Sequence, residues 1–162
     1  MSAIVLKSAE EIALMEQSAQ LVSKTLGMLA KEVVAGALPL ELDRLAETFI
    51  RDHGGKPGFL GMYDFPNTLN WSPNDQVVHG IPDRTPLKDG DIISIDCGVY
   101  MNGYYGDHAY TFEVGEVHPD TKKLLKTAKE SLYVGIAQFK AGNRVGDVGY
   151  AIQQHNENEG YG

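Results

Sequence analysis

The sequence predicts an α+β fold from three features: two amphipathic helices near the amino end, a β-hairpin after them, and a second helical pair beyond the hairpin. The chain has 162 residues, of which 43% are hydrophobic, so it is long enough to bury a sizeable core. The hairpin is the centre of the prediction, because it carries the residues with the clearest chemistry.

The first helical pair is predicted from apolar residues three and four positions apart. A capping box, Ser8-Ala9-Glu10-Glu11, precedes a stripe that predicts a helix over about 9–31. A second stripe after Pro39 predicts a helix that ends at His53-Gly54-Gly55. We expect His53 to cap this helix or to lie in solvent, without a role in catalysis.

The segment 56–82 interleaves aromatic and aliphatic residues with prolines and glycines, which predicts a strand interrupted by turns. His79 is expected where a strand ends in a turn, a common position for a catalytic side chain on a rigid scaffold. A structural role is the alternative for a lone histidine.

Two runs rich in β-branched and aromatic residues, 92–100 and 104–114, flank the dipeptide Asn102-Gly103. This dipeptide is the strongest short-range signal for a two-residue type I′ turn between antiparallel strands. The sequence therefore predicts a tight hairpin with a defined register.

The predicted hairpin carries one aspartate on each strand. With the turn at that position, Asp96 opposes Ala109 and Asp107 opposes Gly98. Period-two alternation then places both carboxylates on one face, roughly 7 Å apart at Cβ. Adjacent carboxylates repel each other unless a cation lies between them, which favours one divalent ion or a close pair bridged by one carboxylate. Solvation of both aspartates on an exposed face is the alternative.

Three other reactive residues are expected to have no chemical role. Cys97 is predicted to be a small buried residue. His108 follows Asp107 directly, so strand alternation sends it to the opposite face. His155 lies among polar residues of a predicted helix and is expected on a solvated face.

The second helical pair is predicted over 120–139 and 145–159. At an offset of 106 residues it aligns with the first pair, including a shared Ala-Gly break. The sequence therefore predicts two half-repeats, 1–115 and 116–162.

Composition narrows the class of protein. A net charge of −8, with no basic cluster longer than Lys122-Lys123, argues against binding to nucleic acid. No apolar run approaches the length of a membrane span, and the amino end lacks the pattern of a signal peptide. The single cysteine suits a reducing compartment, so we expect a cytoplasmic protein without membrane association.

The motif VVHGIP, the run DGDIISIDCGV and the sequence NGYYGD, with the two aspartates eleven positions apart, resemble type I methionine aminopeptidases. These enzymes are metallopeptidases with the pita-bread fold. The resemblance extends over essentially the whole chain, but it covers only the first part of the family's catalytic domain.

The resemblance implies removal of the initiator methionine from nascent polypeptides by a metal-activated water that attacks the methionyl carbonyl. It assigns Asp96 and Asp107 as ligands of up to two divalent ions, cobalt, manganese, iron or zinc. It also implies that His79 is catalytic and binds the substrate, donating a hydrogen bond near the scissile amide. The residues implied for the methionine pocket, with ordinary core packing as the alternative, are Phe59, Met62, Tyr63 and Phe65.

The resemblance further implies a monomer that meets polypeptide amino termini near the ribosome. In that family the second half adds one histidine and two glutamates to the metal site, and another histidine near the substrate. Those motifs are not present in this sequence. We therefore expect a truncated pita-bread fold, the first αα-ββ half plus the helical pair of the second, that is inactive alone.

Two other functions remain open. One is an X-Pro aminopeptidase or dipeptidase of the same fold, which would share the two aspartates. The other is a non-catalytic pita-bread module that binds a partner.

Overall fold

The computed structural model of the protein describes residues 4–162 and confirms the predicted α+β class. Its elements, in chain order, are α1 (Ala9–Leu29), α2 (Pro39–Asp52), β1 (Lys56–Pro57), a short 3-10 helix (Met62–Asp64), β2 (Leu69–Pro73), β3 (Ile92–Met101), β4 (Tyr104–Glu113), α3 (Pro119–Ile136) and α4 (Val145–Asn158). The chain forms two compact units that divide between Glu116 and Val117. Within residues 4–162, none of the helices has the length and apolar character needed to cross a membrane.

The two amino-terminal helices begin and end at the signals that predict them. Ser8 Oγ accepts a hydrogen bond from the Glu11 N–H, and the Glu11 carboxylate accepts one from the Ser8 N–H, which confirms the capping box at the start of α1. Pro39 opens α2, where its missing N–H leaves no helical bond unmade. The helix ends at Asp52 with His53 as its C-cap, and His53 Nδ1 lies 2.8 Å from the Phe49 carbonyl oxygen. The predicted capping position of His53 is therefore confirmed.

β3 is the centre of an antiparallel sheet. β4 pairs along its whole length through the hairpin. Along its other edge, β3 pairs with β2 over residues 93–97 and with β1 at Val99 and Tyr100. The 3-10 helix separates β1 from β2, so the segment 56–82 is interrupted as its prolines and glycines predict.

One face of the sheet is apolar and packs against α1 and α2. Strand alternation puts Ile93, Ile95, Cys97 and Val99 of β3 into this core, where all four are fully buried. The opposite face of β3 therefore carries the residues between them, including Asp96.

α1 contacts the hairpin where two backbones approach closely. The buried Ser18 hydroxyl lies 3.0 Å from the Met101 carbonyl oxygen and 3.1 Å from that of Tyr104, so it holds both strands at the turn. Gly106 is buried against the same helix, and a Cβ added there would lie 2.5 Å from the backbone carbonyl carbon of Ser18. This contact fixes β4 directly beside Asp107.

Replacing Gly106 by alanine is expected to destabilise the chain by about 3 kcal/mol, because the added methyl group meets helix backbone that cannot move without displacing α1. The free energy of unfolding of the 162-residue chain in urea measures this effect.

Gly27→Ala is the matched control. Gly27 lies inside α1, and a Cβ there meets nothing within 4 Å, so this variant should gain about 1 kcal/mol from helix propensity. If Gly106→Ala were as stable as the parent chain, the close approach of α1 and β4 would be wrong.

The second unit contains α3 and α4. At the offset of 106 residues, α2 corresponds to α4 residue for residue. The glycines on either side of these helices also correspond in conformation. Before the helix, φ is 88° at Gly36 and 94° at Gly142, and after it φ is 81° at Gly54 and 90° at Gly160. These positions therefore share their local backbone conformation at the predicted offset, while the division into two half-repeats stays a prediction.

The solvated position predicted for His155 is wrong. Its side chain is 24% exposed, and its buried Nε2 lies 3.6 Å from Glu130 Oε2 on α3. Val148 and Ile152 precede it by seven and three positions, which is the spacing of one helical face. The polar sequence neighbours of His155 hid this periodicity.

Candidate metal centre

The site is built on the β3–β4 hairpin, and the predicted register is confirmed. The turn Asn102-Gly103 has φ values of 56° and 87°, the positive values that a type I′ turn requires. Asp96 pairs with Ala109, and Asp107 pairs with Gly98. Both carboxylates therefore lie on the face of the sheet opposite the core, as diagonal neighbours.

Asp96 is the more buried of the two aspartates. Burial raises the pKa of its carboxyl group above the ordinary value, and the hydrogen bond from Asn70 opposes that rise. The negative charge of Asp107 raises the pKa further, whereas His79 lowers it. The net direction is upward, so ionised Asp96 is disfavoured by its surroundings unless a cation compensates.

The two oxygens of Asp96 have different environments. Oδ2 accepts a hydrogen bond from Asn70 Nδ2 at 3.2 Å, whereas Oδ1 is buried without a hydrogen-bond partner. A buried oxygen without a donor is costly, and beside a second carboxylate it is a suitable ligand for a hard divalent cation. The carboxylates of Asp96 and Asp107 are therefore suited to bind a divalent metal ion.

The two aspartates do not form a complete metal site by themselves. Within residues 4–162, no group of three or more histidine, cysteine, aspartate or glutamate side chains could hold an ion. Any metal bound here needs further ligands, from water or from other protein groups.

Sequence reasoning missed Asn70. This residue lies on β2 directly beside Asp96 in register, and it is 7% exposed. The alternation of apolar and polar residues from Leu69 to Ser72 places Asn70 on the polar face, and that was the available signal. The long connection between β2 and β3 conceals which β3 residue it faces.

The prediction that His79 lies where a strand ends is wrong, because β2 ends at Pro73, well before it. It lies in irregular structure with φ of 60°, an uncommon conformation for a residue other than glycine. The Trp71 N–H donates to the Gly80 carbonyl oxygen at 2.8 Å, and the Gly80 N–H donates to Ser72 Oγ at 3.3 Å. These bonds hold the chain beside β2. They bring His79 near enough to Asp96 to lower the pKa of the Asp96 carboxyl group.

The four predicted pocket residues lie close together in sequence but differ in exposure. The ring of Phe59 covers Gly98, since a Cβ added at Gly98 would lie 2.6 Å from a ring carbon. Phe65 is half-buried, and Met62 is 40% exposed. Tyr63 is 98% exposed and has a φ of 50°. Phe59 is therefore the pocket candidate that the structure brings to the hairpin, whereas Tyr63 projects into solvent.

The predicted positions of Cys97 and His108 are confirmed. Cys97 is fully buried on the core face, and burial, followed by the charges of Asp96 and other aspartates, raises the pKa of its thiol to about 12. His108 lines a groove between α1 and β4 with Leu26 and Ala30. In the hairpin register His108 pairs with the core-facing Cys97, so it lies on the face opposite the two carboxylates.

The sequence profile of metallopeptidase family M24 matches residues 13–162. The chain therefore belongs to this family, and membership implies a divalent metal cofactor.

Its relatives include the methionine aminopeptidase of Clostridium perfringens, 44% identical over 158 residues that make up 98% of this chain and 64% of the relative. Methionine aminopeptidase 1 of Bacillus subtilis is 43% identical over 156 residues, 96% of this chain and 63% of the relative. The crystal structure of methionine aminopeptidase from Rickettsia prowazekii superimposes with a TM-score of 0.94 at 33% identity, over 96% of this chain and 63% of that one.

These similarities confirm the predicted resemblance to methionine aminopeptidases and the pita-bread fold. The chain spans slightly less than two thirds of the length of these relatives.

Proposed function

We propose that the full-length protein is a methionine aminopeptidase, which removes the initiator methionine from nascent polypeptides. The observation that carries the proposal is the buried, unpartnered Oδ1 of Asp96 beside a second carboxylate on a rigid hairpin, in a chain of a metallopeptidase family. The likeness to methionine aminopeptidases over almost the whole chain supports this choice of substrate.

Asp96 and Asp107 would hold one or two divalent ions, of which cobalt, manganese, iron and zinc are the candidates. A bound ion would lower the pKa of water and polarise the methionyl carbonyl. Asp107 is our candidate for a bridging ligand, since it is exposed and adjacent to Asp96. Two carboxylates bind a metal weakly, so the 162-residue chain alone is expected to be inactive.

His79 would orient the substrate by donating a hydrogen bond near the scissile amide. Its position near Asp96 and its fixed backbone support this role. The best-supported wall of the methionine pocket is Phe59, because its ring covers Gly98, the strand partner of Asp107. The further pocket residues, proposed from the resemblance alone, are Met62, Tyr63 and Phe65.

Nascent polypeptides are made in the cytoplasm, so we propose that the protein works there, close to the ribosome, as a monomer. The net charge of −8 suits a substrate that presents a protonated amine, and it argues against binding to nucleic acid.

The test is hydrolysis of Met-Ala-Ser with added cobalt or manganese, measured for the full-length protein and for the 162-residue chain. We expect activity in the full-length protein only. Two further peptides are tested in parallel. Leu-Ala-Ser reports the selectivity of the pocket for methionine, and Ala-Pro reports X-Pro dipeptidase activity.

Cleavage of Ala-Pro without cleavage of Met-Ala-Ser would replace the proposal with an X-Pro dipeptidase. Hydrolysis of none of these peptides by the metal-loaded full-length protein would leave a binding module as the better description.

A further inference from the structure

We propose that Asn70 is a positioning residue, which holds the carboxylate of Asp96 with Oδ1 open to receive the metal. The inference deepens the proposed function and rests on it, because it takes Asp96 to be a ligand.

The geometry comes from the register of β2 on β3. Asn70 is the direct strand partner of Asp96, and both side chains lie on the face opposite the core. The bond from Asn70 Nδ2 to Asp96 Oδ2 is 3.2 Å long. Asn70 is 7% exposed, so water competes little for either partner.

The chemistry of the pair fixes which end of the amide faces the aspartate. A carboxylate only accepts hydrogen bonds, and the carboxamide donates only through its nitrogen. The side chain of Asn70 therefore cannot reverse without placing two oxygens against each other, and the donor stays on Oδ2.

The hydrogen bond from Asn70 also affects the other oxygen of Asp96, Oδ1. With Oδ2 held, rotation of the Asp96 carboxyl group is restricted, and Oδ1 remains buried without a donor. A ligand that is already oriented loses less conformational freedom when the ion binds. Groups that orient metal ligands in this way typically change metal affinity 10- to 100-fold when they are removed.

The experiment is isothermal titration of the metal-free full-length protein with Mn²⁺. Asn70→Leu has a similar volume and no donor, and we expect it to bind Mn²⁺ about 10- to 100-fold more weakly than the parent. Asn70→Gln keeps the carboxamide and should recover part of this loss. The visible absorption spectrum of the Co²⁺-loaded protein should also change in Asn70→Leu, since it reports the arrangement of the ligands.

Thr111→Val is the matched control. Thr111 Oγ1 lies 2.8 Å from Ser94 Oγ across the same hairpin, so the variant removes a hydrogen bond between polar side chains without touching Asp96. It should leave the Mn²⁺ affinity and the Co²⁺ spectrum unchanged. Far-UV circular dichroism confirms that each variant is folded.

Asp96→Asn tests the metal site separately from the positioning role of Asn70. If Asp96→Asn loses Mn²⁺ binding while Asn70→Leu keeps the parent's affinity and spectrum, the positioning role is wrong and the metal site stands. If Asp96→Asn binds Mn²⁺ as tightly as the parent, the proposed metal site fails and the role of Asn70 fails with it.

Discussion

Asp107→Asn is expected to lower kcat/KM of the full-length protein for Met-Ala-Ser at least about a thousandfold. The substitution keeps the size of the side chain but removes the negative charge that a divalent ion needs. A metal ion contributes several kcal/mol to stabilising charge in the transition state, and each 1.36 kcal/mol changes the rate about tenfold. Steady-state hydrolysis at saturating Mn²⁺ measures the loss.

The metal-free variant should fold at least as well as the parent. Asp107 lies beside Asp96 and raises its pKa by repulsion, so removal of the charge relieves an unfavourable contact. Bound metal per chain, measured after dialysis, should fall together with activity, while the urea midpoint of the metal-free protein stays the same or rises. This combination separates a lost ligand from a lost fold.

Glu113→Gln is the control for charge alone. Glu113 lies six positions further along β4, on the same face as Asp107, so this variant removes an equal charge from the same strand. It should retain the metal content and kcat/KM of the parent. A full complement of metal in Asp107→Asn would contradict the assignment of Asp107 as a ligand.

The hairpin could be predicted because its determinants are local. Asn102-Gly103 fixes the turn, the turn fixes the register, and the register places Asp96 beside Asp107. The helices were predictable for the same reason, since Ser8 and Pro39 mark their starts within a few residues.

The rest of the site depends on pairing between segments far apart in sequence. Asn70 meets Asp96 only because β2 aligns with β3 across a long irregular connection. His79 is placed near Asp96 by two hydrogen bonds of its neighbour Gly80, which accepts from the Trp71 N–H and donates to Ser72 Oγ. No tight turn specifies these bonds. Sequence patterns give the face of a strand but not its partner, so these contacts needed the structure.

The exposure of His155 was predicted wrongly for a different reason. Its neighbours in sequence are polar, and composition favoured an exposed position. The spacing from Val148 and Ile152 instead puts it on the packed face of α4, where Nε2 is buried near Glu130. Periodicity was the better guide than the character of adjacent residues.

His79→Asn is expected to lower kcat of the full-length protein about 100-fold while KM changes much less. A hydrogen bond that strengthens as the peptide carbonyl becomes tetrahedral acts mainly on kcat, and the loss of one such donor typically costs 10²–10³-fold. Asparagine is the appropriate replacement because φ at this position is 60°, and asparagine tolerates this conformation better than alanine. The shorter side chain then loses its reach without adding backbone strain.

His108→Asn is the matched control, since it makes the same chemical change at a histidine adjacent in sequence to Asp107 but on the opposite face of β4. We expect its kcat and KM to equal those of the parent, and both variants to retain the bound metal. Equal loss of activity in the two variants would indicate a general effect on the sheet. Full activity in His79→Asn would remove His79 from the mechanism, because the proximity to Asp96 that supports its role would then have no consequence for the reaction.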